Sequence, residues 1–514
     1  MEDYLQKILT ARVYDIAVET PLERAKNLSN RLQNTIWLKR EDLQSVFSFK
    51  LRGAFNKMSR LSKDELKNGV IASSAGNHAQ GVALSAYHLK CKALIVMPVT
   101  TPKVKVNAVK ALKAEVLLHG ETYDEAYAEA EKISKKDGMV FIHPFDDPDV
   151  IAGQGTIALE ILRQLENPPD VIYVAVGGGG LIAGIASYVK SLWPKVEIIG
   201  VEPNEANAMT KSLEAGKRIE LKEIGLFADG VAVRSVGKNT FELAKKYVDS
   251  MLTVNTDQIC AAIKDVFEDT RSILEPAGAL AIAGMKLDVE KRNLIEKNLV
   301  AIACGANMNF ERLRFVAERA ELGEKKEAML AVEIPEKAGS LKDLCEVLGK
   351  RSLTEFSYRM SEANKAQIFM GVEVEGNNDR KDLIDRFKNR KYNCLDLTED
   401  ELSKVHLRHM VGGRLPSSSK ALCNTSCKEF LYRFEFPERP GALMRFLNTM
   451  RPEWSISIFH YRNHGADIGR IVIGVLVEEN EIKSWKEFIK KLGYKSSDET
   501  ENPAYKLFLG AHEE

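Results

Sequence analysis

The stretch EIPEKAGSLKDLCEVLGKRSLTEFSYR, which starts at Glu333, returns at Glu435 as EFPERPGALMRFLNTMRPEWSISIFHYR. The offset is 102 residues from Leu341 to Leu443 and 103 from Arg359 to Arg462, so the second copy carries one inserted residue. Each copy reads as a strand, a glycine-bearing turn, an amphipathic helix and an alternating strand. Self-similarity on this scale means a duplicated supersecondary unit, here a small β-α-β module. The two copies are placed at 331–411 and 430–514, joined by the polar segment 412–429. Ahead of them the charged run AERAELGEKKEAM (317–329) reads as a helical bridge, with a linker helix at 321–330.

Residues 1–320 have a different texture. Apolar runs at 35–41, 69–75, 93–99, 114–120, 171–180, 197–203 and 298–307 alternate with helix-periodic segments such as 124–138 and 155–165. Short β runs separated by helices predict parallel sheets wrapped by helices, an α/β class. A smaller lobe falls at roughly residues 45–150.

Lys and Arg number 73, and Asp and Glu also number 73. Zero net charge gives no global field to attract nucleic acid or anionic lipid. No apolar run approaches the roughly 18 residues that span a bilayer. The acidic start MEDYLQKILT has no features of a leader. Seven cysteines (Cys91, Cys260, Cys304, Cys345, Cys394, Cys423 and Cys427) are scattered and odd in number, which suits a reducing compartment. A cytoplasmic location is expected. At Cys423 and Cys427, separated by three residues in CNTSCKE, a loop is preferred over a metal site.

Three stretches carry chemistry. In SVFSFKLRGA, Lys50 sits between Phe49 and Leu51. It is either a surface lysine at a helix start or an amine kept reactive by burial. In VIYVAVGGGGLIAG, an apolar strand ends at Val176, and Gly177, Gly178, Gly179 and Gly180 lead into a helix near Leu181. Glycines there let N–H groups converge on an anion at a helix N-terminus, a phosphate cradle rather than a linker. The spacing is not the dinucleotide fingerprint. SSAGNHAQG (73–81) offers donors at another helix start, suited equally to a carboxylate or to capping by Ser73 or Ser74. His78 there reads as a structural histidine. Cys304 ends a strand, and packing or a weak S–H donor to a ring nitrogen both stay open. An amine together with a phosphate site suggests an aldehyde cofactor with a phosphate handle.

KREDLQSVFSFKLRGA, SSAGNHAQG, VGGGGLIAG and EPAGA (275–279), in this order, resemble the pyridoxal-phosphate-dependent serine/threonine dehydratases. The resemblance runs from about residue 14 to the end, and the paired C-terminal modules point to the biosynthetic branch. It implies a two-lobed, tryptophan-synthase-β-like (fold type II) catalytic domain followed by two ACT-like regulatory modules. It implies pyridoxal 5′-phosphate as cofactor and L-threonine as substrate, with 2-oxobutanoate and ammonia as products on the way to isoleucine. Threonine synthase and cysteine synthase share the lysine and the glycine loop but typically lack the paired modules.

By the same resemblance, Lys50 is the Schiff-base lysine and Phe49 packs beside the cofactor ring. Gly177 to Gly180 and Leu181 hold the phosphate, and Asn77 bonds the phenolic oxygen. Ser74, Gly76 and Asn77 meet the substrate carboxylate. Cys304 partners the ring nitrogen where many relatives have serine. Ala75 stands where a serine racemase has a second serine, which speaks against racemisation. Isoleucine is the implied inhibitor, opposed by valine. The effector-facing candidates are Tyr358 and Arg359 in the first copy and Phe459, His460, Tyr461 and Arg462 in the second, with core packing as the competing reading. A homotetramer is the implied assembly. For Glu275, a monovalent-cation role and plain packing both stay open.

Overall fold

The seven apolar runs of the first 320 residues all become strands in the computed structural model, and three strands that were not expected, the first, sixth and ninth, bring the number described there to ten. They are β1 (Leu22–Arg24), β2 (Thr35–Arg40), β3 (Val70–Ser73), β4 (Ala93–Met97), β5 (Glu115–Leu118), β6 (Val140–Phe141), β7 (Val171–Ala175), β8 (Glu197–Pro203), β9 (Ser250–Val254) and β10 (Asn298–Ala303). The structure describes residues 3–310, 312–337, 339–359, 365–400, 403–404, 408, 427–437, 442–451, 454–462 and 468–502. The chain divides into two units, Met1–Gly323 and Glu324–Glu514.

The larger sheet of the first unit has the order β1-β2-β10-β7-β8-β9. All its pairs are parallel except β1 with β2 at the edge. Parallel strands are covered on both faces, which is why VIYVA in β7 is buried at every position. The smaller sheet, β5-β4-β3-β6, is wholly parallel and is inserted between β2 and β7 in sequence. It has its own apolar core around Val70, Ala72, Val82 and Ile95.

Helix Lys50–Met58 packs closely on helix Pro148–Gln164. A Cβ on Gly153 would lie 2.6 Å from the Arg52 carbonyl oxygen, and one on Gly53 would lie 2.7 Å from that of Val150. Two glycines therefore let the backbone that carries Lys50 settle onto its support. No helix among the described residues is long and apolar enough to cross a membrane.

The second unit is one eight-stranded sheet. Its strands are β11 (Glu327–Pro335), β12 (Leu353–Arg359), β13 (Lys365–Glu373), β14 (Asn393–Asp396), β15 (Cys427–Pro437), β16 (Ser455–Arg462), β17 (Ile468–Glu478) and β18 (Lys495–Asp498). The order is β14-β11-β13-β12-β16-β17-β15-β18, so the two copies join edge to edge through β12 and β16. Each copy is β-α-β-β-α-β, twice the β-α-β module expected. The second half carries its own echo, Ile368–Phe–Met–Gly371–Val against Ile471–Val–Ile–Gly474–Val, at an offset of 103. Both copies also shift register at one place, between Leu353 and Glu355 and between Ile456 and Ile458.

The bridge differs from the expected linker helix at 321–330. Helix Arg312–Gly323 stops at the glycine, Lys325 adopts φ 59°, and Glu327–Pro335 is a strand. The apolar run AMLAV, buried on both faces at Ala328, Met329 and Leu330, outweighs the helix preference of the charged run before it. Residues 412–426 of the connecting segment, Cys423 among them, lie outside the described residues.

Candidate active site

The loop before helix Lys50–Met58 is stitched to the end of β10. The Phe49 N–H donates to the Cys304 carbonyl at 3.3 Å, and the Ala306 N–H donates to that of Phe47 at 2.9 Å. This fixes Lys50 beside Cys304 at the C-terminal ends of the parallel strands, where open α/β sheets bind their ligands. A pocket opens there. Its wall brings together Phe49, Lys50, Asn77, Gly177, Gly178, Gly179, Gly180, Leu181 and Cys304, the whole predicted cofactor set. Phe145, Ala175, Gly230, Val231, Glu275 and Ala277 complete it. Ser74 and Gly76 are not part of this lining. Ser74 Oγ accepts from the Gly76 N–H at 3.2 Å and shapes the turn that delivers Asn77.

The Lys50 Nζ donates to the Pro144 carbonyl at 3.0 Å. Burial pulls its amine down to about 8, against the opposing influence of Cys304 and Glu275. Burial pushes the Cys304 thiol up, so it stays neutral, and its Sγ donates to the Ile302 carbonyl at 3.4 Å.

Gly179 takes φ +95° as N-cap of helix Gly180–Leu192, and no described side chain caps that helix. Its first-turn N–H groups are therefore left for an anion. A Cβ on Gly178 would lie 2.3 Å from the Phe145 ring. The Gly178 carbonyl accepts from Thr240 Oγ1 at 2.6 Å, which braces the loop from behind. Asp146 in turn caps helix Lys238–Tyr247, accepting from the N–H groups of Lys238, Asn239 and Thr240.

Asn77 donates through Nδ2 to Glu275 Oε1 at 2.6 Å and accepts at Oδ1 from Asn307 Nδ2 at 2.7 Å. Burial pushes the Glu275 carboxyl up to about 7, with the Asn77 bond opposing. His78 lies behind the wall. Its Nε2 is 2.8 Å from the Ile142 carbonyl, and burial with the nearby Lys50 charge pulls it down to about 3, a neutral structural histidine.

A model of the family described as "Pyridoxal-phosphate dependent enzyme" matches residues 13–305. One described as "C-terminal regulatory domain of Threonine dehydratase" matches 318–407 and 422–509. The chain is 56% identical over 510 residues to L-threonine dehydratase biosynthetic IlvA of Burkholderia multivorans, covering 99% of both chains. It is 49% identical to the protein of the same name in Escherichia coli, covering 99% of this chain and 97% of that one. A solved structure of the processed form of threonine deaminase isoform 2 from Solanum lycopersicum matches with TM-score 0.61 and 54% identity, over 62% of this chain and 92% of that one. The chain belongs to the biosynthetic threonine dehydratases. Pyridoxal phosphate is the cofactor of this family, and the pocket fits it: one amine, one uncapped helix start with a glycine cradle, and one neutral thiol.

The regulatory half of this dehydratase family is present as the eight-stranded unit. Its β12 and β16 pair antiparallel, with Tyr358 opposite Phe459 and Phe356 opposite Tyr461. Tyr358, Phe459 and Tyr461 are buried in the core of the unit, and Phe459 meets Phe356 edge-on at 5.1 Å. Tyr358 also donates to Glu336 Oε2 at 2.7 Å. His460 is half-buried opposite Ser357. The side chains of Arg359 and Arg462 lie outside the described residues.

Sequence reading missed Phe145, Asp146, Thr240 and Asn307. The signal for Asp146 was in reach: HPFDDPD holds helix-capping acids, and Asp147 caps helix Pro148–Gln164.

Proposed function

We propose that this chain converts L-threonine to 2-oxobutanoate and ammonia with pyridoxal phosphate, under feedback control through its C-terminal modules. The observation that carries the reading is Lys50, an amine drawn down by burial that shares one pocket with the glycine cradle. When bound, the cofactor supplies an electron sink for the charge left at the substrate Cα. Lys50 holds the cofactor covalently. Once displaced, its amine is neutral often enough near pH 7 to 8 to take the Cα proton. Gly177 to Leu181 hold the phosphate, and Phe49 flanks the ring. Asn77 has one Nδ2 hydrogen left for the phenolic oxygen after its bond to Glu275. Ser74, Gly76 and Asn77 receive the substrate carboxylate. Cys304, a neutral thiol, gives the ring nitrogen a weak partner and no charge.

Isoleucine is the inhibitor in this reading and valine its antagonist, with Tyr358, Arg359, Phe459, Tyr461 and Arg462 around the effector. The likeness to the biosynthetic dehydratases and the match to their regulatory domain support it. The catalytic domain spans Met1–Gly323, the modules open with β11 at Glu327 and β15 at Cys427 rather than at 331 and 430, and the working assembly is a cytoplasmic homotetramer. The test is 2-oxobutanoate formation from L-threonine with and without isoleucine. Activity that falls in isoleucine supports both halves. Activity that ignores isoleucine removes the regulatory half, and no activity from cofactor-loaded protein removes the reaction.

A further inference from the structure

The helical turn Asp229–Val231 places Gly230 and Val231 in the pocket wall. A Cβ on Gly177 would lie 2.9 Å from Val231 Cα, and one on Gly230 would lie 2.9 Å from Ala277 and 3.6 Å from Glu275 Oε1. The turn thus packs against both the phosphate cradle and the Glu275 corner. Its Asp229 holds two cations from separate parts of the unit. Lys105 Nζ is 2.5 Å away and Arg312 Nη1 is 3.1 Å away. Lys105 belongs to helix Lys103–Ala111, which is built onto the core of the smaller sheet through Val106 and Val109. Arg312 opens helix Arg312–Gly323, the last element before the second unit begins at Glu324. That helix start is tied to the loop ahead of Asp229 as well. Arg312 donates to the Phe227 carbonyl at 3.0 Å, and Phe315 packs on Phe227 with ring centres 5.4 Å apart.

We propose that Asp229 is a positioning residue, and that the Lys105–Asp229–Arg312 triad ties the small lobe, the pocket wall and the outgoing helix into one mechanical unit. A displacement of Arg312 then moves the Asp229–Val231 turn and changes substrate affinity, which is how an effector in the second unit reaches the pocket. This rests on the reading of threonine as substrate and isoleucine as effector. All three charges are partly exposed, so each pair is worth roughly a two- to fivefold factor, weak enough to break and remake in a working cycle.

The groups facing Glu275 are Asn77, Asp229, Lys105, Arg312, Lys50 and Cys304. Asp229 pushes the Glu275 carboxyl up, while Lys105 and Arg312 push it down. Neutralising different members of the triad therefore shifts one pocket group in opposite directions. General loosening of the structure has no reason to do that.

The experiment uses the full-length holoenzyme with Lys105→Gln, Asp229→Asn, Arg312→Gln and Arg312→Lys. KM and kcat for threonine and the half-inhibiting isoleucine concentration are read, together with the pH titration of the bound cofactor's absorbance without substrate. Lys105→Gln and Asp229→Asn should raise KM roughly two- to fivefold with kcat nearly unchanged. Arg312→Gln should weaken the isoleucine response while calorimetry still shows isoleucine bound, and Arg312→Lys should restore the response. The absorbance titration should move to lower pH in Asp229→Asn and to higher pH in Lys105→Gln and Arg312→Gln. Unchanged KM and isoleucine response, or titrations that all move one way, would overturn the triad. If the wild-type protein does not consume threonine, the functional reading fails by itself. The resting titration then still decides the triad.

Discussion

The Lys50 Nζ donates to the Pro144 carbonyl oxygen at 3.0 Å, and burial holds the amine at about 8 against 10.5 when unfolded. Between those values the folded apoenzyme binds fewer protons than the unfolded chain, so stability rises with pH across that window. Below pH 8 the cost of the buried cation is present in full. Lys50→Met removes it. The apo variant should therefore be more stable than apo wild type at pH 7, with the gap closing toward pH 10. Urea denaturation at stepped pH reads this directly, and a gap that stayed flat with pH would mean an amine in water. The same variant should make no 2-oxobutanoate.

Gly178 faces the Phe145 ring, and a Cβ there would overlap it at 2.3 Å. Gly178→Ala must push the ring or the loop aside. Overpacking of this kind should weaken cofactor binding roughly ten- to hundredfold. Adding Phe145→Ala removes the obstacle and should recover part of the loss. Cofactor titration followed by absorbance measures both. A single variant that binds as tightly as wild type would show that the loop has room to spare.

How much of this was readable depended on what stays local. The strand Val171–Ala175 running into four glycines is local, and so is a lysine at a helix start, so the cradle and the amine were legible. The Asn77–Glu275 bond spans 198 residues, and the Thr240 brace on Gly178 spans 62. No periodicity reports such pairs, because they exist only once the sheets are assembled. The second half of each repeat is a different failure. Ile368–Val372 and Ile471–Val475 carry the echo, but only the isoleucine, the glycine and the valine after it survive there, too few to mark a repeated strand by themselves. The Tyr358, Phe459 and Tyr461 positions mark a limit of another kind. An alternating strand names the residues of one face without saying whether that face meets a ligand or a core.

Arg52 lies two residues beyond Lys50, in a fully buried network that the sequence did not announce. Its guanidinium donates to Glu41 and to Glu160, and Lys39 Nζ donates to Glu160 at 2.6 Å. All four side chains are closed to solvent. Two cations and two carboxylates balance, and removing one leaves a charge stranded in low dielectric. Arg52→Met should cost about 3–5 kcal/mol of stability. Because this helix carries Lys50, threonine turnover should fall with it. Urea denaturation and a turnover assay together check the claim, and a loss below about 1 kcal/mol would mean that water reaches the network.

Tyr358 offers the sharpest separation of core from effector site in the second unit. Its hydroxyl donates to Glu336, whose carboxyl is pushed up by burial and drawn back by this bond. Tyr358→Phe removes the donor and should raise Glu336 further. A raised acid favours the folded state least where it must ionise, so the added destabilisation should be small near pH 4 and grow toward pH 7. About 1 kcal/mol at pH 7 is the expected size, that of one buried hydrogen bond. If isoleucine inhibition weakens in the same variant by more than stability accounts for, Tyr358 faces the effector as proposed. If stability shifts with pH as described and inhibition is untouched, the hydroxyl belongs to the core, and the effector contacts lie with other residues of β12 and β16.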